Sequence, residues 1–421
     1  MFRLSNFLQA MLSALLLVSI TGCAGLLAPS APTPEPITLQ FAYPLAEKGE
    51  AYEKLAAEFH EAHPNITVEV QHMEDVGYVA SEGSGIDAFE ADQFELASLV
   101  RSSAVLNLDP ILQENPQIAG DLYPRTLQAF TWQGQTWGIP ADIDPWILYY
   151  NKDLFDQADV PYPQPGWAWN DFLDKAARLT IDRGDHMQYG FGSNPEEAPE
   201  IIAFIYQNGG SLVDNIVDPQ EPTFDSPATI EAVEWYTDLA LEYEVMPPPE
   251  VIGRYRRGGV FEAAFRQQVA MWMGPMSVRG GLIWDFEWPF NWGVAPLPQD
   301  EEQATLFLLS GYFISANSPH PREAWLWIEH VTSSPRPVWN LPPRRSVAET
   351  KLYHQRVGEE VAETALASAE YGLTSPPTPW LMNLFEWLGQ ALTSILTKEQ
   401  GIGEAMQQIQ QKAEAALAAQ E

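Results

Sequence analysis

Apolar and polar residues alternate at Ile37-Thr38-Leu39-Gln40-Phe41, which predicts a strand with one buried face. Tyr52, Leu55, Ala56 and Phe59 then recur at helical spacing until Pro64 stops the pattern after His63. Ile66, Val68 and Val70 alternate with Thr67, Glu69 and Gln71, giving a second strand. Two strands bridged by one helix predict a parallel pair with a right-handed crossover. In open α/β sheets ligands gather beyond the carboxyl ends of strands. The loop from Ala42 to Glu50, with Tyr43 and Glu47, is therefore the first candidate site segment.

The pattern continues along the chain. Gly134 starts a turn between two short aromatic strands, and Gly138-Ile139-Pro140 enters a strand ending at Leu148-Tyr149-Tyr150-Asn151. A helix is predicted from about Trp169 to Leu179. Ser226-Pro227, a capping hydroxyl followed by a first-turn proline, starts another, with Ile230, Val233, Thr237, Ala240 and Leu241 as its inner face. Val269, Met271 and Met273 predict a strand ending at Gly274-Pro275, and Trp292-Gly293-Val294 and Tyr312-Phe313-Ile314 two more. Ala324, Ile328 and Val331 mark a helix, and Asn383 to Ala419 two amphipathic ones. No repeat of 20 to 50 residues is present, which argues against solenoids and propellers.

The N-terminus follows another logic. Arg3 precedes an apolar run, Phe7 to Ile20, broken only by Gln9, Ser13 and Ser19. The run suits a secretory signal better than a membrane span. Ile20-Thr21-Gly22-Cys23 resembles the bacterial lipobox, which implies a signal peptide over 1–22 and a lipidated Cys23. Cys23 is the only cysteine in 421 residues, so no intramolecular disulfide can form. A diacylated cysteine gives a stable anchor where one chain would not. Residues 24–36, with Pro29, Pro32, Pro34 and Pro36, are read as a semi-rigid tether. Over the whole chain 57 acidic against 22 basic residues give a net charge of −35, which repels nucleic acid and anionic lipid. No tryptophan precedes Trp132, although the chain has fifteen.

Gly134-Gln135-Thr136-Trp137-Gly138-Ile139-Pro140, followed by Leu148-Tyr149-Tyr150-Asn151-Lys152-Asp153-Leu154-Phe155, carries a family resemblance. With Trp167-Ala168-Trp169-Asn170-Asp171-Phe172, Ala270-Met271, Trp292 to Pro298 and Leu341-Pro342-Pro343-Arg344, it resembles the extracellular solute-binding proteins of family 1, a group that includes maltose-binding proteins. The resemblance runs from about Ile37 to Ala348. Two departures stand out: Ala168 replaces the usual threonine N-cap, and Gln267 replaces a favoured glycine. The resemblance implies an α/β, two-lobed periplasmic-binding-protein-like fold of type II, with a hinge the chain crosses three times. One lobe would be residues 37–143 plus 305–338, the other 144–304 plus 339–421. It further implies a monomer, without cofactor or metal, that closes on a small solute and presents it to the membrane subunits of an ABC importer.

Sugar sites need flat aromatic faces and planar polar groups that bond hydroxyls in pairs. Trp146, Trp272 and Trp284 are candidate faces, each with plain core as the competing reading. Asp142 and Asp144 share one face of an extended chain and are candidate hydroxyl acceptors, or else a glycosidase acid and base. Tyr43, Glu47, Asp87 and Asp92 are further candidates from the first lobe. Tyr312 is placed at the start of a strand entering the cleft. Arg344 is read either as a clamp on a hydroxyl or carboxylate or as a salt-bridge partner. His60-Glu61-Ala62-His63 lacks the spacing of a zinc motif, and no nucleophile elbow or phosphate loop occurs. The expectation is a binding protein, not an enzyme, for a sugar or oligosaccharide. A polyol or polyamine binder is the alternative, and an extracytoplasmic carbohydrate-active enzyme a remoter one.

Overall fold

The alternation at the start of the body becomes a β-α-β unit in a computed structural model of the protein. It describes residues 35–81, 85–123, 125–194, 198–216, 218–255, 259–279, 287–375 and 381–419. Cys23, the signal, nearly all of the tether and Trp284 lie outside the described residues. From Thr38 onward the described residues form one compact unit.

Strand β1 (Ile37–Tyr43) leads through helix Gly49–Ala62 to β2 (Ile66–His72), and β3 (Ala88–Asp92) returns parallel to β1. The odd residues of β1 pack outward onto that helix. Phe41 meets Tyr52 at 4.9 Å and Trp327, from helix Pro321–Thr332, at 5.5 Å. The even-numbered Ala42 joins a second apolar cluster with Phe89 and Phe313.

The sheet is organised by β4 (Gly138–Asn151), β5 (Met187–Gly192), β6 (Val269–Pro275), β7 (Trp292–Ala295) and β8 (Thr305–Ile314). Its order is β2-β1-β3-β8-β4-β6-β5, with Ile181–Asp182 at the edge, β7 also on β4 and Gly372–Leu373 also on β8. Along Gly138 to Pro145, β4 pairs with β8. From Trp146 onward it pairs with β6 and β7 instead. One strand therefore serves both halves of the molecule, and both its faces are buried. Trp146, Leu148 and Tyr150 enter one core, while Ile143, Ile147 and Tyr149 enter the other.

Local chemistry explains several boundaries. Gln133 and Gly134 both adopt positive φ, 52° and 73°, as a two-residue hairpin turn between Thr131–Trp132 and Gln135–Thr136 requires. Ser226 caps helix Pro227–Leu241 by accepting the Thr229 N–H at 3.3 Å. The buried face of that helix is Thr229, Ala232, Val233, Tyr236, Thr237 and Leu239. Ile230, Ala240 and Leu241 are only half-buried, so the inner face is rotated from the expected one. Among the described residues no helix is long and apolar enough to cross a membrane.

Candidate functional site

Two parallel strands, β1 and β3, end together at Tyr43 and Asp92. Just beyond β1, Lys48 is the N-cap of helix Gly49–Ala62 and is 2% exposed. Its ammonium lies 2.6 Å from Glu90 Oε1 and 3.7 Å from Asp142 Oδ2, with the Trp339 ring centroid at 5.9 Å. Burial pulls the ammonium pKa down, but Glu90 and then Asp142 outweigh it and hold it above the ordinary value. Glu90, fully buried, also accepts from Tyr52 at 2.5 Å and from Ser310 at 2.6 Å, and Tyr52 meets the Tyr312 hydroxyl at 3.0 Å. This buried polar network ties β1, β3, β8 and β4 together under the strand ends.

The passage between the two halves adjoins it. β4 and β8 make two crossings, and Ile143 and Leu341 exchange both backbone bonds, at 3.0 and 2.9 Å, to hold a third segment beside them. Asp142 accepts the N–H groups of Trp339 at 2.9 Å and Asn340 at 3.2 Å. Asp144 accepts the Ser277 N–H at 3.0 Å. Arg279, 6% exposed, donates to the Met276 carbonyl, the Asn340 side chain and the Trp339 carbonyl. Burial raises Asp142 to about 6 against Lys48 and its two N–H donors. Burial also raises Asp144 to about 7, with the Ser277 hydrogen bonds opposing it and the neighbouring Asp142 charge adding to it. Both carboxylates are engaged in fixing backbone, so neither stands as a free acid or base.

Asp92 differs. It is exposed, yet the protein crowding around it raises its carboxyl to about 6, opposed by the Phe94 N–H and assisted by Glu95 and Glu90. Asp92 accepts the Phe94 N–H at 3.0 Å while Glu95 accepts the Asp92 N–H at 3.3 Å, so the turn is fixed. The adjoining Gln93 is 4% exposed, and neither of its amide atoms has a hydrogen-bond partner among the described residues. Phe94 reaches the other half, meeting Phe385 of helix Leu381–Leu396 edge-on at 6.0 Å.

Several expected site residues lie elsewhere. Asp87 sits at the opposite end of β3 from Asp92 and accepts the Gln40 N–H at 2.8 Å and the Ser318 hydroxyl at 2.5 Å, a structural tie. Trp272 is 0% exposed, stacked on Tyr149 at 5.7 Å and 8° and against Trp288 at 4.8 Å. With both faces of β6 covered it is core and offers no open ring. Trp146, 3% exposed, is core as well. Arg344 is bound to Asp121 at 2.8 Å, so of its two readings the salt bridge is the one realised. Tyr312 is buried in the Glu90 network rather than open to a cleft. Tyr43 packs its ring on Tyr52 at 5.0 Å, and Glu47 is exposed in the turn Ala46–Lys48.

Lys48, Glu90, Gln93, Arg279 and Asn340 are the polar residues that sequence reasoning missed. Only Lys48 carried a signal, as a rare cation at a strand-to-helix junction. A shallow pocket lined by Tyr150, Pro163, Pro296 and Glu360 lies at the end of β4 remote from the crossings, and Lys152 occupies Glu360 at 2.7 Å. Among the described residues no group of His, Cys, Asp and Glu is placed to hold a metal ion.

A sheet shared between two halves, crossed three times and with strand ends converging at the crossing, defines the two-lobed class of solute-binding proteins. The chain matches the family profile of bacterial extracellular solute-binding proteins over residues 43–335, and it belongs to that family, whose members bind rather than catalyse. It is similar to the maltodextrin-binding protein MdxE of Bacillus subtilis, 23% identical over 324 residues covering 73% of this chain and 71% of that one. It also resembles a mannitol-binding protein of Pseudomonas aeruginosa, 30% identical over 145 residues, 33% and 32% of the two chains. The sugar-binding protein MalE from Xanthomonas citri superposes with a TM-score of 0.78 at 20% identity, covering 91% of this chain and 98% of that one.

Proposed function

We propose that this protein captures a sugar or oligosaccharide outside the cell membrane and delivers it to the membrane subunits of an ABC importer. The observation that carries the reading is Asp92. Its side chain is exposed at the end of β3, where the strand ends converge at the crossings, and a carboxylate there can accept from a ligand hydroxyl. The maltodextrin-binding relative supports the choice of a carbohydrate. The lobes in this reading are residues 37–143 plus 305–338 and 144–304 plus 339–421, closing on a ligand as a monomer. Cys23 anchors the protein by lipid, and 24–36 spaces it from the membrane.

Calorimetry against maltotetraose, mannotriose and mannitol tests the ligand class. Micromolar binding of either saccharide is expected, and no binding of either sinks the carbohydrate reading. The mannitol-binding relative favours a second reading, in which mannitol alone binds. The anchor is tested separately: Cys23→Ala should leave the membrane fraction or accumulate as uncleaved precursor.

A further inference from the structure

At Asp142-Ile143-Asp144, β4 is paired with Ser310-Leu309-Leu308 of β8 on one side and with Leu341 on the other, so all three crossings lie at one level. A ring of polar contacts closes around that level. Asp142 accepts the Trp339 and Asn340 N–H groups, and Asp144 accepts the Ser277 N–H in the turn Met276–Arg279 that follows β6. Arg279 completes the ring: its guanidinium donates to the Met276 carbonyl at 2.8 Å, the Asn340 side chain at 3.1 Å and the Trp339 carbonyl. Trp339 is thus gripped twice, its N–H by a carboxylate of the first lobe and its carbonyl by a guanidinium of the second. Acceptors on two chain segments are met by one planar fork, which the point charge of an ammonium could not span.

We propose that Arg279 is the pivot pin of interlobe motion, a positioning residue that ties the third crossing to the second lobe and so sets ligand affinity. The assignment rests on the two-lobed division given above and needs no particular ligand. Segments at a pivot move least when lobes rotate, so contacts there persist through the motion and confine it to one axis. Without the pin the lobes sample more orientations, and a ligand that bridges them must order what the pin had already ordered. Arg279 is suited to this because its guanidinium is bonded to the turn and to the crossing and is almost closed to water.

Distances between spin labels on the two lobes test it in the unliganded full chain. Lys54→Cys and Asp174→Cys, both at exposed helix positions, carry the labels in a Cys23→Ala background. Arg279→Met should widen the distance distribution, and Arg279→Lys should widen it as much, because the fork and not the charge forms the pin. Asn340→Ala, which removes one acceptor and keeps the guanidinium, should widen it less. For maltotetraose or mannotriose, whichever the parent binds, Arg279→Met should weaken calorimetric affinity about fivefold. A folded Arg279→Met with the parent's distribution refutes the pin, and so does an Arg279→Lys that restores it. Should Arg279→Met not fold, Asn340→Ala decides, and a distribution no wider than the parent's overturns the proposal. Widening with unchanged saccharide affinity refutes the link to binding. If the distributions widen as expected but the parent binds neither saccharide, the pin stands and the carbohydrate reading falls.

Discussion

Replacing Lys48 by methionine removes one charge from the most buried ionic network described in the molecule. Methionine keeps most of the apolar stem, so the change isolates the ammonium. Glu90, 0% exposed, would keep only the Tyr52 and Ser310 hydroxyls, and Asp142 only two backbone N–H groups. Removing one partner of a buried pair costs about 3–5 kcal/mol, because the survivor is left as an uncompensated charge. The 2.6 Å contact with Glu90 dominates, since Asp142 at 3.7 Å is longer and has other donors. A body of about 380 residues has an unfolding entropy near 0.8 kcal/mol/K, so the melting temperature should fall by about 4–6 °C.

The assay is a double-mutant cycle of Lys48→Met and Glu90→Gln, followed by urea and thermal unfolding at neutral pH. The double variant, with both charges gone, should recover at least half of the loss of Lys48→Met. A loss under about 1 kcal/mol in Lys48→Met, or a double variant no better than the single, would refute the reasoning. Either outcome would mean that water reaches the network and screens it.

Three further outcomes follow from local geometry. Gln267 ends helix Gly259–Phe265 with φ of 58°, and the Gln267 and Gln268 N–H groups bond Ala264 and Ala263 in the pattern that favours glycine. Gln267→Gly should therefore raise urea stability by up to about 1 kcal/mol, and a loss would show that the left-handed turn is not strained. Ala168 is an N-cap without a side-chain acceptor, although Asp171 accepts its N–H at 3.1 Å, so Ala168→Ser should add about 1 kcal/mol to helix Trp169–Leu179, read as a higher urea midpoint. With Asp144 raised to about 7 in the folded protein, the folded state binds more protons than the unfolded one between the ordinary carboxylate range and neutrality. Stability should climb as pH falls from 8 to about 5, Asp144→Asn should flatten the slope, and a melting temperature that drops throughout this range contradicts the assignment.

The elements that were legible in the sequence are those with one buried face. Ile37 to Phe41 alternates because its outward face meets a helix, and Tyr52, Leu55, Ala56 and Phe59 repeat because their helix covers that face. Where both faces are buried the alternation vanishes. β4 and β6 are such strands, and this is why Trp272 could be read either as core or as platform until its neighbours were known. Helix Pro227–Leu241 is covered on a broad arc, so a narrow apolar stripe misplaced its inner face. The ion pair of Lys48 and Glu90 joins residues 42 apart in the chain, and no local pattern encodes such a meeting.

The same distinction governs the site. Asp87 and Asp92 both looked like acceptors, but five residues along a strand carry them to opposite ends, where Asp87 is buried and ties Gln40 to Ser318 while Asp92 caps the next turn with its side chain exposed. Asp142 and Asp144 share a face as their spacing requires, and that face lies against the third crossing and Ser277, so spacing alone could not reveal their occupation. Tryptophan number misled in a similar way. A large indole is drawn into cores for the same apolar area that would let it stack on a sugar. Fractional exposure separates the two uses, and Trp146 and Trp272, at 3% and 0%, fall on the side of the core.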